Sequence, residues 1–226
     1  MHKNYLDLIS QLHKSSKRDY LARVNDLEFP KHKAAELAKK FDFDYWDGDR
    51  RVNYGGYVFK TGYWTPVAKK MIQKYSLNSS SKILDIGCGK GFLMYELKKI
   101  LNSKNIYGLD ISSYAKNNAH PEIKENITIG SANRLPFSDK YFDFVFSINT
   151  LHNLYIFDLE KSIDEINRVS KSYNQYICVE SYRNEIEKAN LLYWQVTCEI
   201  FFTPDEWIWM FEKKNYKGNF SFIYFE

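Results

Sequence analysis

The stretch Lys82-Ile83-Leu84-Asp85-Ile86-Gly87-Cys88-Gly89-Lys90-Gly91-Phe92 constrains the fold of this chain more than any other. Lys82 to Ile86 is apolar and partly β-branched around a single acid, the pattern of a parallel strand buried on both faces. Gly87, Gly89 and Gly91 follow at once and remove the side chains that keep a backbone from closing on a ligand. Phe92 to Leu101 then carries the apolar spacing of an amphipathic helix. A strand that runs through a glycine turn into a helix N-terminus makes a nucleotide-type pocket. A tight turn without a ligand would use the same residues, so the downstream sequence has to decide.

Glycine spacing separates ligand classes. A pyrophosphate-binding turn runs G-x-G-x-x-G, whereas here the glycines alternate and an acid sits inside the preceding strand. Ile106-Tyr107-Gly108-Leu109-Asp110 reads as a second short strand ending in an acid about 20 residues beyond the last glycine, the interval of a carboxylate that binds ribose hydroxyls. Ile127 to Phe137 (I-T-I-G-S-A-N-R-L-P-F) and Tyr141 to Leu154 (Y-F-D-F-V-F-S-I-N-T-L-H-N-L) complete the series. In this order, over about residues 80 to 182, the segments resemble the motifs of class I S-adenosylmethionine-dependent methyltransferases. The resemblance implies S-adenosylmethionine as cofactor. It places Asp85, Gly87, Cys88, Gly89 and Gly91 around the methionine and ribose, Asp110 on the ribose hydroxyls, Ile111 on one adenine face, and Ala132 and Asn149 in the pocket wall. The family's third segment is often G-D-A-x-x-L-P-F; Ser131 stands here in place of the acid, which leaves the adenine amino contact to Asn133 or to backbone.

The chain has 226 residues, enough for one full α/β core and little more. With 44% hydrophobic and 27% charged residues it reads as globular. No run has the apolar length of a membrane span, and the first residues lack a signal-peptide core, so a cytoplasmic protein with no membrane partner is expected. Cys88, Cys178 and Cys198 lack metal-ligand spacing and fit a reducing compartment. A net charge of +4, with a pI near 8.7, is compatible with an anionic small-molecule acceptor and falls short of the basic stripe that nucleic acid requires. The runs Lys14-Ser15-Ser16-Lys17-Arg18 and Lys31-His32-Lys33 read as solvated helix faces. Oligomeric state leaves no signature.

Leu6, Ile9 and Leu12, then Tyr20, Leu21, Val24 and Leu27, recur at helical spacing and predict an all-helical arm, with Pro30 opening another helix over 31–40. Residues 41–65 change character: Phe41 to Asp49 is acidic and aromatic, Tyr54 to Trp64 aromatic and glycine-rich. Mobility from glycine and contact area from aromatics suit a lid that closes on a bound ligand, and equally a loop packed permanently on the domain. Residues 66–75 form the helix leading into the core. From there strands at 83–87, 105–110, 127–130, 142–148 and 175–181 alternate with helices at 91–101, 112–119 and 158–170. That alternation predicts an α/β fold, a doubly wound, Rossmann-like, mostly parallel sheet with ligands at the carboxyl ends of its strands. Residues 185–203 fit strand or helix, and length favours helix; Thr203-Pro204-Asp205-Glu206 opens a helix over 204–214, and one strand, 219–225, closes the chain. The expected organisation is an N-terminal helical arm and aromatic lid over 1–75 and a Rossmann-like domain over 76–226.

The resemblance implies a donor whose methyl group is already activated, so the protein has to align an acceptor and, for a hydroxyl, remove its proton. The family's metal-dependent enzymes carry acids after the fourth strand, and Ser147-Ile148-Asn149-Thr150-Leu151 has none, so no metal is expected. The Asn/Asp-Pro-Pro-Tyr box of nitrogen-methylating enzymes and the Cys pairs of pyrimidine enzymes are absent too. By elimination an oxygen of a small molecule leads, followed by a simple amine, an RNA, or a non-catalytic binding role. His152, just past the fourth strand, is the candidate general base, or else a scaffold residue of its loop. Tyr57, Tyr63 and Trp64 from the lid, and Tyr182 and Arg183 after the fifth strand, are candidate substrate contacts, with Glu180 a weaker one. The runs Asn149 to Leu154 and Glu180 to Asn184 look like those of bacterial small-molecule methyltransferases that modify surface-polysaccharide building blocks, which implies a sugar hydroxyl or phosphate-type oxygen as acceptor.

Overall fold

The computed structural model describes residues 2–13 and 19–226, so the basic run 14–18 lies outside the described residues. Its strands are β1 (Ile83–Ile86), β2 (Ile106–Asp110), β3 (Ile127–Ile129), β4 (Phe144–Ile148), β5 (Gln175–Glu180) and β6 (Asn219–Ile223). They form one sheet in the order β3-β2-β1-β4-β5-β6, and every neighbouring pair is parallel. The order reverses between β1 and β4, and in a sheet of this kind the ligand crevice opens above that switch point. The helices are α1 (Ser10–His13), α2 (Ala22–Asn25), α3 (Lys31–Ala38), α4 (Phe43–Trp46), α5 (Thr65–Tyr75), α6 (Phe92–Leu101), α7 (Ser113–Asn117), α8 (Ile156–Val169), α9 (Glu185–Trp194) and α10 (Pro204–Lys213). None of the described helices is long and apolar enough to cross a membrane.

Strand side chains alternate between faces, so the continuous apolar runs of the sequence fill two cores at once. Ile83, Phe144, Phe146, Tyr176 and Cys178 pack with Met71 of α5 and Leu97 of α6. Leu84, Ile86, Val145, Ile177 and Val179 pack on the other face with Ile163 of α8 and Trp207 of α10. Asp85 shares the parity of Ile83 and so belongs to the α5/α6 face. It is the acid predicted inside a buried strand, and only 5% of it is exposed.

Two expectations are corrected. The arm before α3 is not one helix: Asp7 Oδ1 accepts from the N–H groups of Ile9 and Ser10, Asp19 Oδ1 from those of Leu21 and Ala22, and Asp26 Oδ1 from that of Phe29. These side chains offer the backbone turns that compete with a helix, and among the described residues the arm holds short helical segments, Ser10–His13 and Ala22–Asn25. Ahead of them, Asn4 O accepts from Phe220 N–H and Leu6 N–H donates to Phe220 O, so the chain around Tyr5 covers the edge of β6. Residues 195–203 are irregular rather than helical. Val196, Thr197, Cys198 and Ile200 are buried, and the N–H groups of Glu199 and Ile200 donate to the His152 carbonyl, which ties the segment to that loop in place of a helix. The capping box of Thr203 and Glu206 opens α10 as expected.

Candidate active site

The glycine turn is shaped by what lies against it. Gly87, at φ 77°, would place a Cβ 2.0 Å from Thr150 Oγ1, and Gly89, at φ 54°, would place one 2.7 Å from the Trp46 ring. Both positions combine a left-handed backbone with a neighbour that leaves no room, so only glycine serves. Asp110, at the carboxyl end of β2, fastens the turn: its Oδ2 accepts from Gly89 N–H at 2.7 Å and its Oδ1 from Ser112 N–H at 2.8 Å. Burial raises the Asp110 carboxyl, and the backbone N–H groups of Ser112, Gly89 and Ile111 partly oppose that rise. Asp85 lacks even this support. No described residue hydrogen-bonds its carboxylate, and burial, with Asp110 alongside, holds it well above the usual carboxylate range.

These groups line a cavity of about 180 Å³ that includes Asp85, Gly87, Cys88, Gly89, Asp110, Ile111, Ala132 and Asn149 of the expected set. Gly91 stands beside it as the left-handed N-cap of α6. Asn133 is a correction, since it does not line the cavity and its Nδ2 donates to Asp158 Oδ1 at 2.6 Å. Ser131 and Ala132 form that part of the wall.

Residues 41–65 close over the cavity. Trp46 crosses the glycine turn, donates from Nε1 to Phe41 O and Ser112 Oγ, and stacks on Tyr54 at 5.4 Å. The closure is fastened from below by Lys90, whose ammonium is 2.7 Å from both oxygens of Asp47 and 2.8 Å from Tyr57 O. Asp47 also accepts from Tyr57 N–H and Tyr114 OH. Burial raises the Asp47 carboxyl, but the Lys90 ammonium and the Tyr114 and Tyr57 donors outweigh it and hold the group below its ordinary range.

A second cavity of about 300 Å³ shares Tyr45, Tyr54, Tyr57, Trp64, Asn149 and Asn153 with the first and adds Tyr63, Trp194, Arg50, His152 and Glu180. His152 is 2% exposed, and both of its ring nitrogens face Glu180: Nδ1 accepts from the Glu180 N–H at 3.3 Å, and Nε2 lies 3.4 Å from Oε2. That pattern assigns the imidazole proton to Nε2. Burial pulls the imidazole pKa down to about 3. The other carboxylate oxygen of Glu180 accepts from Gln195 Nε2.

Tyr57, Tyr63 and Trp64 thus reach the second cavity, whereas Tyr182 and Arg183 do not. Arg183 is held away by Glu187 and Glu226 and lies over the Tyr224 ring, and Tyr182 packs against the α5/α6 core. Sequence reasoning did not single out Tyr45, Trp46, Tyr54, Asn153 or the Lys90–Asp47 pair. The acidic, aromatic composition of 41–49 was the local signal for Tyr45, Trp46 and Asp47, the aromatic stretch 54–64 for Tyr54 and the run 149–154 for Asn153, while nothing local marks Lys90 as the partner of Asp47.

Residues 84–178 match the family described as methyltransferase domain. An uncharacterised protein of Methanocaldococcus jannaschii is 34% identical over 53% of the chain, which spans 44% of that relative. The demethylmenaquinone methyltransferase of Staphylococcus saprophyticus is 27% identical over 63% of the chain and 66% of its own length. Among solved structures, the complex between the Haloferax volcanii Trm112 methyltransferase activator and a methyltransferase superposes with a TM-score of 0.55, at 20% identity over 65% of each chain, a likeness of fold. The chain therefore spans less than half the length of the first of these relatives.

Proposed function

We propose that this chain, which belongs to the class I S-adenosylmethionine-dependent methyltransferases, methylates an oxygen of a small molecule held in its second cavity. S-Adenosylmethionine, the methyl donor of the family, supplies a methyl group already activated on a positively charged sulfur. The residues of the first cavity fit it. Asp85 is a buried carboxylate facing that cavity without a hydrogen-bond partner among the described residues, which suits an ammonium group. Asp110 keeps acceptor capacity for ribose hydroxyls, and the glycine turn leaves the backbone open to close approach.

The observation that carries the reading is the buried Glu180–His152 pair in a cavity that meets the donor cavity along Tyr57, Trp64 and Asn149. As the acceptor oxygen forms its bond to the methyl carbon and the carbon–sulfur bond breaks, the hydroxyl proton must leave. Glu180 receives it in this reading, Gln195 Nε2 donates to its Oε1, and His152 Nε2 stands 3.4 Å from its Oε2. His152 is then a positioning residue rather than a base acting alone, because its one free lone pair is already met by the Glu180 N–H. The ring faces of Tyr54, Tyr57, Trp64 and Trp194 exclude water and suit a planar or cyclic acceptor. The surface-polysaccharide setting draws its support from the sequence resemblance.

Carbon is the second reading. It is favoured by the relative named demethylmenaquinone methyltransferase, and removing a proton from a ring hydroxyl would also activate the neighbouring ring carbon. The test is transfer of a labelled methyl group from S-adenosylmethionine to methyl glycosides, sugar phosphates, phenols, hydroquinones and primary amines, with the product bond identified by NMR. A label on oxygen supports the reading; a label on carbon or nitrogen overturns it.

A further inference from the structure

Where the arm and residues 41–65 meet α9, basic side chains gather, and most have protein partners. Arg51 pairs with Asp26 and Asp49. Arg23, 7% exposed, donates from Nη1 to Trp194 O and from Nε to Arg51 O, and Lys31 Nζ donates to Leu192 O, so both cations close the carbonyl end of α9. Arg50 differs. It lines the second cavity, the one cation to do so among the described residues, and none of them places a carboxylate within ion-pair distance of it. One N–H of its guanidinium goes to Asn53 O, and the others find no acceptor among the described residues. The stem is held in place: a Cβ on Gly55, at φ 62°, would lie 2.8 Å from Arg50 Cβ, so the glycine lets the chain rest on that side chain. The guanidinium lies 5.4 Å from the centre of the Trp194 ring, which lines the same cavity. Burial pulls the Arg23 pKa down to about 10 and the Arg50 charge adds to that fall, so Arg50 is already felt by a neighbour of like sign.

We infer that Arg50 sets the specificity of the second cavity, and that the methyl acceptor is an organic anion, a ring compound whose carboxylate or phosphate group is held by this guanidinium. The inference rests on the second cavity being the acceptor site. A guanidinium presents its N–H groups as a planar fork that matches the paired oxygens of a carboxylate or phosphate, and Arg50 has that fork largely unspent. Burial sets the orientation. A charged group is costly to strip of water, and Arg50 is exposed whereas Glu180 and His152 are 4% and 2% exposed. The anionic end of the methyl acceptor therefore stays at the rim beside Arg50, and its hydroxyl goes inward. Holding the far end of the molecule in this way orients the reacting oxygen without spending any contact at the reacting centre. It also gives selectivity, because a neutral analogue leaves the fork unpaired and a cationic amine meets it as a like charge.

The test uses protein saturated with S-adenosylhomocysteine and probes that differ in charge at one group, followed by ligand-observed NMR: 4-hydroxybenzoate against 4-hydroxybenzamide, and a sugar phosphate against the matching methyl glycoside. In wild type at least one anion should bind about tenfold or more tightly than its neutral counterpart, the size of a hydrogen bond to a charged group, and the pair that responds separates carboxylate from phosphate. Arg50→Gln, or Arg50→Met should the first not fold, should remove that margin with the neutral probe and S-adenosylhomocysteine bound as before. Equal binding or equal silence within every pair overturns the inference. So does a variant that keeps the preference for the anion, or one that loses S-adenosylhomocysteine affinity, which would make Arg50 a part of the lid alone. Wild type that fails to bind S-adenosylhomocysteine at all sinks the proposed function as well, so the two failures are distinguishable.

Discussion

Asp85→Asn should make the ligand-free protein more stable and a worse binder of the methyl donor. The carboxylate is 5% exposed, without a hydrogen bond from any described residue, and beside a second acid. Its folded-state pKa therefore lies above its unfolded value, and the folded chain holds a proton that the unfolded chain releases. Stability falls as pH rises from the ordinary carboxylate range through the folded pKa. Asparagine cannot ionise, so the variant escapes that loss. Leaving a buried polar group unpaired costs about 1–3 kcal/mol, and each kcal/mol moves Tm by about 2–4 °C in a chain of this size. The variant should melt several degrees higher than wild type at pH 8, and the gap should close toward pH 5. Donor binding moves the other way: losing a charged partner for an ammonium group removes about 1.5–3 kcal/mol, tenfold or more in Kd. Differential scanning fluorimetry at the two pH values and calorimetric titration with S-adenosylhomocysteine read the two effects separately. A variant less stable than wild type at pH 8, or one that binds S-adenosylhomocysteine as tightly, would refute the argument.

Asp110→Ala removes the fastening of Gly89 and the carboxylate proposed to bind ribose, and should weaken S-adenosylhomocysteine by about 2 kcal/mol or more; unchanged calorimetric affinity would remove Asp110 from the site. Lys90→Met breaks the Asp47 fastening, so limited proteolysis within 41–65 should quicken and be slowed again by S-adenosylhomocysteine; cutting rates that ignore both variant and ligand would mean a permanently packed loop. Because the Asp47 carboxyl sits below its ordinary range, its contribution is present above the unfolded pKa and lost as pH falls through the folded one, so the same cuts should quicken in wild type under acid; a flat pH profile would count against it. His152→Ala should lower kcat by about 10²-fold with S-adenosylhomocysteine affinity unchanged, and a variant that keeps turnover but loses Tm would make His152 a scaffold residue only.

What was legible in the sequence was what chemistry fixes locally. The strand at 83–86, its glycine turn and the acid at the end of β2 are contiguous patterns with one geometry each, and they stand where they were expected. Interactions that join distant positions were not legible. Lys90 reads as one more lysine in a glycine turn, and only the folded chain brings it against Asp47. Asn133 looked free to bind a base until α8 brought Asp158 to its amide. Arg183 was captured by Glu187 one helical turn away, a pairing that four-residue spacing could have suggested. In the arm, apolar spacing suggested a helix, but Asp7, Asp19 and Asp26 each offer the backbone a competing turn, and the local hydrogen bonds prevail over periodicity.

Tyr57 is where the two cavities become one device. Its N–H donates to Asp47, its carbonyl accepts from Lys90, and its ring lies 5.0 Å from Phe92 at the start of α6 while lining both cavities. The residue cannot leave its place in the first cavity without also opening a wall of the second. Lys90, in turn, is part of the glycine turn that Asp110 fastens, so whatever orders that turn orders the ion pair, the lid and the acceptor wall together. The same linkage places an ammonium–carboxylate contact, rather than apolar packing alone, where residues 41–65 meet the glycine turn. A directional contact of that kind is made or broken as a unit, whereas aromatic packing yields by degrees. Breaking the Lys90–Asp47 contact would therefore disturb both cavities together, since Tyr57 lines each of them.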